Sequence, residues 1–302
     1  MQWVRSISVE NHCEMVFFFY IFETITTTGT TPSEPLAMHL LPEIRKIRAW
    51  IVSDPENVIA SSSLSDDTLS CGCLTKLMTL RVALLERTSF EQKESVTVTS
   101  NAVKIQSKTK KSRLKLTVGE SMSLHDVAIG VLMCDGGGLA TLLAEHATSS
   151  LDDFVKRMNE EASRLGMSHT RFVDPCGFSS ENVSTLRDME LLCRACMSSF
   201  WFPLCSVQRH KRWRSGNRLL TQQRTETVRQ VDGMLVERYP NKIGSCSALT
   251  FVRRSDGKRV LVIVLNAVSC SKQVCISESK LLGDWATSLS ACDDDDDGSS
   301  DR

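Results

Sequence analysis

Cys71-Gly72-Cys73-Leu74-Thr75-Lys76-Leu77-Met78-Thr79 is the stretch from which the rest of the chain is read. Leu74, Leu77, Met78, Val82 and Leu85 recur at helical spacing, which predicts a helix over residues 73–86. On such a helix a first-turn thiol and a lysine three residues later share one face and come within reach of each other. A lysine held close can take the thiol's proton if its own pKa falls, and the positive end of a helix favours an anion there. A C-x-x-K pair is also met in plain helices, where it is a buried thiol beside a surface lysine.

Working outward, Ala49-Trp50-Ile51-Val52 before Asp54-Pro55 reads as a strand ending in a turn, with Val58-Ile59-Ala60 as its hairpin partner. Amphipathic helices are predicted over 126–134, 141–147, 151–165 and 186–197. Ser150 caps the third, and Thr185 with Asp188 forms a capping box at the fourth. Two β-rich segments, 248–253 and 260–268, flank Ser255-Asp256-Gly257-Lys258 as a hairpin, and a helix over 280–289 carries Trp285. Strands at both ends and helices between them predict an α+β domain with an antiparallel sheet flanked by helices.

The chain has 302 residues, with 36 basic and 36 acidic side chains, so no net field draws it to nucleic acid or an anionic membrane. Residues 1–47 read as a leader and linker, 48–291 as the folded domain, and 292–302 as an acidic tail that repels itself into solvent. Val16 to Phe22 is a weak signal-like apolar run too short to span a bilayer; secretion is compatible with it, and membrane attachment is unsupported. The 12 cysteines lack the spacings of a disulfide framework. Cys193 and Cys196 form a lone CxxC in a helical pattern, read as two buried thiols, so neither a metal nor a cofactor is expected. His210-Lys211-Arg212-Trp213-Arg214 reads as a solvated basic loop, and Gly136-Gly137-Gly138, lacking the Lys-Ser/Thr of a phosphate loop, as a flexible loop.

Cys-Leu-Thr-Lys-Leu-Met-Thr after a strand-turn-strand resembles the S-x-x-K helix of the D-alanyl-D-alanine carboxypeptidase family, the penicillin-binding serine peptidases. The resemblance continues in the family's order through Val118-Gly119-Glu120, Met158-Asn159, Leu165-Gly166-Met167, Asp174-Pro175, Gly177, Ser184-Thr185-Leu186-Arg187-Asp188 and Asn217-Arg218-Leu219-Leu220. It implies a β-lactamase/transpeptidase-like fold and, for the site, Cys73 as nucleophile in place of serine and Lys76 as base. Cys134-Asp135-Gly136 stands for S-x-N, losing the hydroxyl at Cys134 and the amide at Gly136. Asn241-Lys242-Ile243-Gly244 stands for K-T-G at the start of the strand lining the site, with Lys242 and Gly244 kept and Ile243 in the threonine's place. The backbone N–H groups of Cys73 and Ser245 are the implied oxyanion donors. The implied partner is a small peptide ending in D-Ala-D-Ala, or one like it, and turnover is expected to be very low. Two other readings stand beside this: an inactive relative serving as a ligand-binding or interaction module, and a thiol redox role for Cys71 and Cys73.

Overall fold

The computed structural model describes residues 41–85, 87–90, 94–108, 114–133, 136–207, 209–210, 213–214, 231–239 and 243–289. The strands are β1 (Ala49–Ser53), β2 (Val58–Ser61), β3 (Leu69–Ser70), β4 (Ser95–Thr97), β5 (Ser121–Ser123), β6 (Val183–Ser184), β7 (Arg209–His210), β8 (Trp213–Arg214), β9 (Val231–Tyr239), β10 (Gly244–Val252) and β11 (Arg259–Ala267). The helices are α1 (Thr75–Leu84), α2 (Ser100–Ser107), α3 (Leu124–Met133), α4 (Gly137–Ala147), α5 (Leu151–Arg164), α6 (Leu186–Met197) and α7 (Lys272–Ser288).

Because successive strand residues face opposite ways, a sheet covered on both sides needs unbroken apolar runs. β1 is such a run, buried at all five positions. Ala49 and Ile51 join a core with Leu77, Met78, Leu143 and Ile263, on the side of α1 and α4, while Trp50 and Val52 join another with Val262, Ile276 and Leu282, under α7. The main sheet is antiparallel throughout, in the order β2-β1-β11-β10-β9. Helices therefore cover both faces, as the α+β reading requires. Contacts begin ahead of Arg48: Ile47 is buried, and the Glu278 carboxylate of α7 accepts its N–H at 2.8 Å.

α1 runs through the middle of the helical layer. Thr75, Lys76, Leu77, Met78, Thr79 and Leu80 are all buried, so the helix has no solvent face over its first two turns. It ends at Leu84, short of the predicted end, and Arg87 N–H closes a tight turn on the Leu84 carbonyl at 3.1 Å. α6 begins and ends where the periodicity placed it, with Thr185 Oγ1 accepting from Asp188 N–H at 3.1 Å. The reciprocal half of the expected capping box is not made. Asp188 Oδ2 instead accepts from His169 N–H (2.8 Å) and Thr170 Oγ1 (2.7 Å), tying the α5–β6 connection to α6.

α7 starts at Lys272, ahead of the expected start at 280. Buried polar residues hid its first turns from the pattern. Glu278 serves the backbone at Lys46 and Ile47, and Ser279 bonds Ser247 at 2.9 Å across to the sheet. Gly136-Gly137-Gly138 is not a flexible loop, because Gly137 opens α4 and all three residues are buried. A Cβ on Gly138 would lie 2.4 Å from the Ala102 carbonyl, so the triplet is a close-packing device between α2, α3 and α4. Cys193 and Cys196 are fully buried on α6, as read. His210 pairs with Trp213 within the basic stretch, and Lys211 and Arg212 lie outside the described residues.

Candidate active site

Cys73 sits in a 3-10 turn, Gly72–Leu74, that leads directly into α1. Gly72 adopts φ +46, a conformation that favours glycine. The turn is wedged in place: a Cβ on Gly177 would fall 1.9 Å from the Gly72 carbonyl oxygen. On its other side it packs against β9 and β10. The Cys73 thiol donates to the Cys246 carbonyl of β10 at 3.4 Å. Cys73 is 1% exposed and Lys76 is wholly buried one turn further on. Thiol and amine are thus both buried where the turn enters α1.

Cys71 points elsewhere. Its thiol lies 3.4 Å from both Thr75 Oγ1 and the Asn182 carbonyl, and burial pushes its pKa up to about 12 against the pull of the Thr75 hydrogen bond. Cys71 and Cys73 are both free thiols, each bonded to a different part of the fold.

At the second motif, Cys134 and Asp135 lie outside the described residues. Gly136 is the N-cap of α4. A Cβ there would come within 2.5 Å of the Gly130 carbonyl oxygen and 3.0 Å of Val131 Cα, both backbone atoms of α3. No side chain, and so no amide, fits this position without moving α3. A Cβ on Gly137 would meet the Phe178 ring at 2.7 Å.

Lys242 also lies outside the described residues. Ile243 is 6% exposed and belongs to the same apolar core as Leu74 and Leu77. Gly244, at φ +69, opens β10 opposite Tyr239 of β9 and packs against Val268, whose N is 2.6 Å from where a Cβ would stand. The Ile243-Gly244 pair therefore stands at the start of β10, the inner neighbour of the edge strand β9, which the sequence reading did not find. Ser245 stands in register with Arg238 of β9 on one side and Ala267 of β11 on the other, beside an irregularity in the β10–β11 ladder, and its hydroxyl donates to the Cys270 carbonyl at 3.2 Å. In the edge strand, Glu237 stands in register with Cys246, the residue whose carbonyl holds the Cys73 thiol.

A sequence profile for D-alanyl-D-alanine carboxypeptidase matches residues 37–269, most of the chain and all the elements just described except α7. The chain belongs to the D-alanyl-D-alanine carboxypeptidase family. Among relatives of this carboxypeptidase-family chain, a D-alanyl-D-alanine endopeptidase of Escherichia coli is 34% identical over 167 residues, covering 55% of the chain and 50% of the relative. A D-alanyl-D-alanine endopeptidase of Pseudomonas aeruginosa is 29% identical, covering 64% and 59%. The chain thus spans about half the length of the curated relatives it matches. A Streptomyces DD-transpeptidase shares the fold with a TM-score of 0.72 at 20% identity, over 82% of this chain and 99% of that one. Among the described residues no group of three or more His, Cys, Asp or Glu side chains is placed to hold a metal. No described helix is long and apolar enough to cross a membrane.

Sequence reasoning missed two parts of the site, β9 and Phe178. Gly233, Asp232, Glu237 and Arg238 break β9's apolar pattern. Phe178 follows an Asp-Pro-x-Gly turn signature, which was the available signal.

Proposed function

We propose that this member of the family keeps the peptidase scaffold without peptidase turnover and serves as a binding or interaction domain. The observation that carries this reading is the closure of the reaction centre: Cys73 is 1% and Lys76 0% exposed. Two further facts agree with it. The Cys73 thiol is engaged by a carbonyl, and Gly136 has no room for the second motif's amide. Removing one well-placed polar contact from such a centre costs about a hundredfold to a thousandfold in rate. Losses within one catalytic unit do not multiply simply, yet several together leave little beyond binding.

A second reading is favoured by the placement of Cys73 and Lys76 on adjacent turns. Here Cys73 forms a thioester with a D-Ala-D-Ala peptide, Lys76 acts as base and Lys242 holds the substrate carboxylate. One experiment separates the two: incubate the protein with penicillin and measure its intact mass beside Cys73→Ala. The proposal expects no adduct at millimolar penicillin. An adduct that disappears in Cys73→Ala would establish the thioester reading instead.

A further inference from the structure

We propose that Phe178 is the side chain that closes the cleft over Cys73, carried by a loop that Asp174 ties into a single shape. The inference rests on the non-catalytic reading and says what holds the centre shut. Asp174 Oδ1 accepts from the N–H groups of Cys176 (2.8 Å), Gly177 (2.6 Å) and Phe178 (3.3 Å). Its Oδ2 accepts from Ser179 N–H and from Asn182 Nδ2, both at 2.8 Å. Asn182 is itself fully buried and accepts from Val173 N–H at 2.8 Å. With so many of its backbone donors committed to one carboxylate, the loop does not swing.

Two contacts aim the loop at the cleft. Gly177, at φ +79, touches the turn that carries Cys73, since a Cβ there would lie 1.9 Å from the Gly72 oxygen and 3.3 Å from Thr75 Cβ. The Phe178 ring then lies on Gly137 at the start of α4, with Cζ 2.7 Å and Cε2 3.0 Å from a Cβ built on that glycine. The loop therefore touches the nucleophile turn through Gly177 and the start of α4 through the Phe178 ring. Glycine at 137 is what lets it lie so close. The loop also flanks Lys76: burial and Asp174 push the Cys176 thiol up, while the Phe178 backbone and the Lys76 charge draw it down. Phe178 keeps partial exposure while packing on the core to which Cys73 belongs.

The test is the rate at which iodoacetamide alkylates Cys73 in the folded protein, located by peptide mass, in the parent, Phe178→Ala and Phe178→Leu. Cys193, fully buried on α6, reports any general loosening. Cys73 should react slowly in the parent, at least tenfold faster in Phe178→Ala, and at an intermediate rate in Phe178→Leu, with Cys193 unchanged. Slow parent labelling that stays slow in Phe178→Ala overturns the role of Phe178 and leaves the non-catalytic reading intact. Fast labelling of the parent defeats that reading itself. Should Cys193 accelerate together with Cys73 in Phe178→Ala, Phe178→Leu decides: an increase confined to Cys73 supports the proposal, and no increase overturns it.

Discussion

Replacing Gly136 by asparagine would restore the amide that the family's second motif carries, and the structure predicts that it fails for a steric reason. The Cβ alone would stand 2.5 Å from the Gly130 oxygen and 3.0 Å from Val131 Cα. Both neighbours are backbone atoms inside α3, so neither can swing aside as a side-chain end would. Ordinary carbon–oxygen contact is roughly 3.3 Å, so α3 and α4 must separate by nearly an ångström. Overpacking of a close-packed core costs about 1–3 kcal/mol, and rigid neighbours on a buried site place this case near 3. For a domain of this size each kcal/mol lowers the melting temperature by roughly 2–4 °C, which gives a fall of about 6–12 °C. Thermal unfolding followed by circular dichroism measures it, and Gly136→Ala isolates the Cβ from the amide. A Gly136→Ala protein melting within about 1 °C of the parent would refute the steric argument.

Two other outcomes follow from the packing and charges. Gly283→Ala should destabilise the protein by about 1–3 kcal/mol, because its Cβ would enter the Phe251 ring at 2.4 Å where α7 meets the sheet; urea unfolding measures the loss. Burial alone would raise the pKa of Glu161, but its hydrogen bonds and charge pairing with Arg164 and Arg81 outweigh that and lower it. A depressed folded-state pKa means stability is fully present above the unfolded value of about 4.5 and is lost as pH falls through the folded one. Urea midpoints from pH 6 down to 3 should therefore fall more steeply in the parent than in Glu161→Gln, and equal slopes would refute the assignment.

Much of the architecture was legible because it rests on apolar periodicity. α6, the β1–β2 hairpin and the β10–β11 pair announce themselves through Leu186, Met189 and Leu192, through Ile51 and Val52, and through Val260, Val262 and Val264. What escaped was buried polarity, close packing and strands with mixed patterns. Glu278 and Ser279 are core-facing residues of α7 satisfied by the backbone at Lys46 and Ile47 and by Ser247, so a hydropathy pattern passes over them. The glycine triplet reads as a loop because composition does not reveal that α2, α3 and Phe178 occupy the space where its side chains would be. Of the site, the entry of Cys73 and Lys76 into one helical segment was readable from spacing. The edge strand β9 was not, because Asp232, Gly233, Glu237 and Arg238 leave it no alternating signal.

A peptidase scaffold retained around a closed thiol centre is tested by the release of D-alanine from a peptide ending in D-Ala-D-Ala, followed over hours with the full chain at high concentration beside Cys73→Ala. The two proteins should release D-alanine at the same background rate. Release that depends on Cys73 would contradict the closed-centre reading.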